Sequence, residues 1–185
     1  MTLGCLVAAG PALAQSVGEK TGVNSALGIA PITEDFVKQV AISDMFELQS
    51  NQLGEQNGNA QEKSFAAQMV KDHTKTSTGL KSMVESGKVK VQLPAVLDSA
   101  HQSKLDKLKA ASGKDFSSDF DDMQVSAHKN AVSLFERYAE GGDNPALKEW
   151  AGKTLPALQH HLEMAQNLDK GKRANDMSAG PSWPS

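Results

Sequence analysis

Three histidines occupy positions where a hydrophobic residue is expected. In the stretch VKDHTKTSTGL, Ala66, Met69, His73, Leu80 and Met83 recur at the three-and-four spacing of a helix's buried stripe. His128 falls in the same way among Gln124, Ala131, Phe135 and Tyr138, and His161 among Leu147, Ala151, Thr154, Leu158, Ala165 and Leu168. A fourth helical pattern, Val37, Val40, Asp44, Glu47, Asn51, brings carboxylates to its stripe instead. A buried imidazole must hydrogen-bond through both nitrogens or bind something. Three imidazoles beside Glu47 suit a transition metal, since neutral nitrogen and hard oxygen donors hold Fe, Zn, Cu or Mn. The expected ligands are Glu47, His73, His128 and His161. The competing reading is a polar network, histidine against Glu47 and Asp44, that sets helix register with no ligand.

Other chemistry is poorly supported. Diiron carboxylate bundles carry Glu-x-x-His on two helices, whereas His73, His128 and His161 are preceded three residues earlier by Val70, Val125 and Leu158. Met69 and Met164, one turn from His73 and His161, could offer sulfur to copper, but methionine at this spacing is ordinary core filler. His160 flanks a stripe, and His101 falls on a connecting helix where solvent is the expected surrounding. ESGK and SGKD lack the remaining glycine and the preceding strand of a phosphate loop, and no nucleophile elbow occurs. No catalytic residue is assigned, and the expectation leans away from an enzyme.

The elements that must position these residues are helices. Residues β-branched at Cβ are sparse and never alternate over a useful length. One long helix is predicted from an N-cap at Thr33 to about Asn57, and a second from about Asn59 to Ser86, with Gly87 as left-handed cap. Pro94 marks an irregular connection, followed by a short helix to about Ser112. A third long helix spans about Asp115 to Glu140, and a fourth follows the Asp143-Asn144-Pro145 cap to about Leu168. Helices of this length extend ~36 to 42 Å. The expected fold is all-α, a ferritin-like four-helix bundle with a short crossover helix between two hairpins. Counted from the first hairpin turn, Glu47 and His73 differ in height by only ~6 Å, and side chains leaning toward their helix N-termini narrow the gap. The same asymmetry brings His128 and His161 together, so all four converge near mid-bundle.

Composition fits one domain of this kind. The 185 residues are 39% hydrophobic and 22% charged, with a formal net charge of -3 and cations interspersed among acids. That leaves no basic face for nucleic acid. The leading MTLGCLVAAGPALAQS is uncharged and apolar, and Ala12-Leu13-Ala14 has the small-x-small form of a secretory cleavage site. Residues 1–14 are therefore expected to be a signal peptide, giving a periplasmic or secreted protein. A run this short does not predict a membrane span. Cys5 is the only cysteine, so cleavage after Ala14 leaves no disulfide or zinc-thiolate option. If the true start lies upstream, Leu3-Gly4-Cys5 reads instead as a lipid-attachment signal. Residues 15–32 read as a flexible spacer, 33–169 as the bundle and 170–185 as a disordered tail.

Three segments, DMFELQ, FAAQMVKDH and FERYAEGGDNPALKEWAGKTLPALQHHLEMA, carry a resemblance. From about Glu34 to Leu168 the chain resembles a bacterial exported family, domain-of-unknown-function family 4142, whose members are often labelled outer-membrane proteins. The resemblance implies a ferritin-like helical bundle and maps its motifs onto Asp72-His73, His128 and Leu155 to Leu162. The membrane label fits poorly with a sequence that has neither a spanning helix nor barrel strands. Ala127 departs from the acid usual before the histidine of the third helix, so an orienting partner is missing there. The function expected is an exported metal-binding bundle linked to metal or oxidative stress. The alternative is a non-enzymatic envelope interaction or stress-protective protein with a structural polar core. Phe46, Phe65 and Trp150, off the stripes, would serve pairing with another copy or an envelope partner, or simple packing.

Overall fold

A computed structural model describes residues 16–178, with the last turns of the final helix as backbone alone. The expected signal peptide and the end of the expected tail lie outside these residues. Every element within them is helical: α1 (Val17–Lys20), α2 (Val23–Ala26), α3 (Thr33–Asn57), α4 (Ala60–Glu85), α5 (Ser99–Ala110), α6 (Gly113–Gly141) and α7 (Pro145–Ser178). Among the described residues, no helix is long and apolar enough to cross a membrane.

Local chemistry explains most boundaries. Asn59 caps α4 through a capping box, accepting from the Gln61 and Glu62 N–H groups while Glu62 accepts from the Asn59 N–H. Gly87, at φ +73°, takes the left-handed conformation expected after α4. Asn144 accepts from the Leu147 N–H, and Pro145 opens α7. Thr33 is a correction, because Ile32 occupies the cap position of α3 and makes no side-chain cap bond. The Thr33 hydroxyl instead pairs with the Tyr138 hydroxyl at 2.6 Å and donates to Asp143, tying the start of α3 to the α6–α7 turn.

The four long helices form the predicted bundle. α3 packs chiefly on α4 and α6 on α7, with α3–α6 and α4–α7 as the lesser contacts between hairpins. Gly54, near the end of α3, lies against Phe120 near the start of α6. At the other end, Phe36 stacks on Tyr138 with ring centroids 3.9 Å apart. α6 therefore runs antiparallel to α3 and parallel to α4, so the connection carrying α5 must traverse the bundle's length. This is ferritin-like connectivity.

Two predicted boundaries shift. The 15–32 segment, expected to be flexible, contains α1 and α2 and is tied down: Arg137 Nη1 donates to Glu19 at 2.8 Å and to the Ile29 carbonyl at 2.6 Å, and Gln39 also donates to Glu19. The final helix continues past the expected end at Leu168 to Ser178.

The core is two apolar clusters rather than one. Phe36, Val40, Leu80, Leu134, Phe135 and Tyr138 belong to the first, and Phe65, Met69, Leu108, Phe116 and Phe120 to the second. Buried Asp44, Glu47, Asn51, His73, Gln124, His128 and His161 belong to neither, and they come from the middles of the four helices.

Candidate metal centre in the mid-bundle polar layer

The three histidines predicted from their spacing meet. α4 contributes His73, α6 His128 and α7 His161, each buried, and one ring nitrogen of each lies within 4.8 Å of the others. Their ring centroids are 5.5 to 5.7 Å apart.

The hydrogen bonds determine which nitrogens face inward. His73 Nδ1 donates to Asp44 Oδ1 at 2.8 Å, and Ser77 donates to the other Asp44 oxygen. His128 Nδ1 donates to the Gln124 carbonyl one turn earlier in α6, at 2.9 Å. His161 Nε2 donates to Asp72 Oδ2 at 3.2 Å. With these acceptors setting the tautomers, His73 Nε2, His128 Nε2 and His161 Nδ1 are left carrying lone pairs. The first two are 3.5 Å apart, and His161 Nδ1 is buried without a hydrogen-bond partner. Each ring is thus held from behind by an oxygen, as metal-ligating imidazoles are.

Glu47 is buried beside this group, though it is not one of the three whose ligand atoms mutually converge. Asn51 Nδ2 donates to Glu47 Oε2 at 2.8 Å, leaving Glu47 Oε1 buried and without a partner. Gln124 Nε2 donates to Ser50, and Asn51 to Gln124, so α3 and α6 are stitched together at the same level.

Electrostatics distinguishes the rings. Burial, then the charge of His73, lowers His128 to about 4. Burial, then the charges of His128 and His73, lowers His161 to about 4 despite its bond to Asp72. His73 differs from the other two rings. Burial pulls it down, but the Asp44 bond and the charges of Glu47, Asp44 and Asp72 outweigh that and raise it. Burial raises Asp44 and Glu47. Burial also pushes Asp72 up, but hydrogen bonds from Lys75, Gln68 and His161 prevail and hold it at about 2, so it faces His161 as a carboxylate.

Two neutral Nε2 lone pairs at 3.5 Å repel. A proton on His73 Nε2 directed at His128 relieves this, and so does a cation between them. Nitrogens about 2.1 Å from one tetrahedral ion stand about 3.4 Å apart, close to the observed spacing.

Asp72 is a partner of His161 that the helical stripes do not reveal. It precedes His73 and so projects off α4's buried stripe, toward α7. The only signal for it was its place in the Asp-His pair.

Fold and layer together define an all-α bundle with a buried three-histidine centre. The chain belongs to the domain of unknown function family DUF4142, which matches residues 18–168. That match takes in most of the docked N-terminal arm as well as the bundle. No curated protein and no solved structure gives a match.

Proposed function

We propose that this chain is an exported metal-binding bundle that holds one transition-metal ion at His73, His128 and His161, with Glu47 as the fourth ligand, in a role tied to metal or oxidative stress rather than turnover. One observation carries the reading. Three buried imidazoles bring one ring nitrogen each within 4.8 Å of the others, while His73 Nδ1, His128 Nδ1 and His161 Nε2 are bonded to Asp44, the Gln124 carbonyl and Asp72. The partnerless Glu47 Oε1 supplies an oxygen donor in the same layer. Zinc, copper, iron and manganese all accept such a set, and copper binds most tightly to most nitrogen sites whatever the physiological ion.

A second reading rests on the 3.5 Å contact between His73 and His128. One proton held there makes the layer a self-contained polar network, and the protein a non-enzymatic envelope or stress-protective partner. Metal addition separates the two. A ligand specific for the folded state stabilises it by about 2.7 kcal/mol at a hundredfold excess over its dissociation constant, so after chelation one of the four ions should raise the melting temperature. The increment should vanish when His73→Ala and His128→Ala are combined. If every ion moves the wild-type and doubly substituted melts equally, and protein isolated from its native envelope carries no stoichiometric metal, the network reading replaces the metal centre.

A further inference from the structure

A cavity of about 480 Å³ lies between the N-terminal arm, α3, α5 and α6, and two residues of the buried layer line it: His73 and its partner Asp44. His128, His161 and Glu47 do not, so the cavity approaches the layer from one side only. On α5, Asp98 and His101 also line it. Their side chains are 44% and 30% exposed, which puts them at the solvent end. His101, expected to be solvated, is instead held in place: its Nδ1 donates to Asp98 at 2.9 Å, and its ring sits edge-on to Phe46 with centroids 5.4 Å apart. That bond leaves Nε2 as the ring's ligand atom. The titratable lining is three carboxyls, Glu19, Asp44 and Asp98, with Arg137 paired to Glu19, His73 to Asp44 and His101 to Asp98, and of the three carboxyls Asp98 stands at the solvent end. A carboxylate at that mouth, framed by low-dielectric walls such as Val40, Leu134 and Leu158, draws cations toward the cavity.

We infer that this cavity is the entry route for the ion, with Asp98 and His101 as a capture pair at its mouth and Asp44 beside His73 at its inner end. The inference rests on the metal-centre reading. The capture pair acts on the rate of loading and not on affinity, because neither residue belongs to the final ligand set. Asp98 also caps α5 by accepting from the His101 N–H, so the test must preserve the cap. Asparagine caps as well as aspartate.

The experiment is stopped-flow uptake of zinc by the full chain, with equilibrium affinity measured by chelator competition on the same samples. In an Asp98→Asn, His101→Gln variant the association rate should fall roughly tenfold, the lower end of what focusing into a charged cleft provides, and its salt dependence should weaken. The dissociation constant should stay at the wild-type value, with dissociation slowed in proportion. An unchanged association rate, or a change confined to affinity, overturns the entry route while leaving the metal centre intact. If zinc does not bind the wild-type chain, the uptake is measured with whichever of copper, iron or manganese does, and a chain that binds none of the four overturns both.

Discussion

At the scale of single residues, burial lowers all three rings, and only at His73 do the Asp44 bond and the neighbouring carboxylates reverse the direction. His128 and His161 have folded pKa values of about 4, below the unfolded value of ~6.5. Below ~6.5 the unfolded chain binds more protons at these two sites, so their contribution is complete at neutral pH and disappears as pH falls from ~6.5 to about 4. For His128 the loss is on the order of 3 kcal/mol. His73, raised, behaves the other way: its contribution is complete below ~6.5 and is lost as pH rises through its folded value. The raised carboxyls of Asp44 and Glu47 also favour the folded state on acidification. The measurable quantity is therefore a difference. In metal-free denaturant unfolding, a His128→Gln, His161→Gln variant should lose less stability between pH 6.5 and 4 than the wild type. Equal losses would mean that the two rings are not held neutral by burial. The histidines were legible in the sequence because burial imposes a period, and His73, His128 and His161 each keep it. Asp72 as the acceptor for His161 was not, since a residue reaching across to another helix from off the stripe leaves no periodic mark.

At the scale of elements, α3 shows how tightly the bundle is drawn together away from the polar layer. A Cβ built on Gly54 would stand 2.7 Å from Phe120 Cζ and 3.0 Å from Ala66 Cβ. Phe120 is wholly buried, stacked on Phe116 and edge-on to Phe65, so it has nowhere to move. Gly54→Ala gains up to about 1 kcal/mol of helix propensity but meets an overpacking cost of about 1 to 3 kcal/mol. The net effect should be a lower melting temperature, by a few degrees for a chain of this size. A melt at or above wild type would show that α3 and α6 can separate at this point. The long helices were legible because caps and stripes are local. Residues 15–32 were not, because what holds α1 is Glu19 pairing with Arg137, a partner 118 positions away with no trace in the arm's own composition. The cap of α3 was misread for a similar reason: the Thr33 hydroxyl is taken by Tyr138 and Asp143 from the far hairpin.

At the scale of the whole molecule, the path of the chain separates contacts that are near in sequence from contacts that are not. Each hairpin closes over a short turn, whereas α3 meets α6 only after the crossover has carried the chain back along the bundle. The bonds of Gln124 to Ser50 and Asn51 span 74 and 73 positions. Closing loops of that length costs entropy before any reward, so the hairpins should be structured in the folding transition state and the polar layer should assemble after it. Rates then divide by location. Asn59→Ala, which removes the α4 capping box and costs about 1 kcal/mol, should act mainly by slowing refolding. Gln124→Ala, which cuts α6 from α3, should leave refolding nearly unchanged and speed unfolding. Chevron analysis of the two variants tests this, and the order is wrong if both substitutions move the same limb. If it is right, the buried layer governs how long the folded molecule persists, while the hairpin turns govern how quickly it forms.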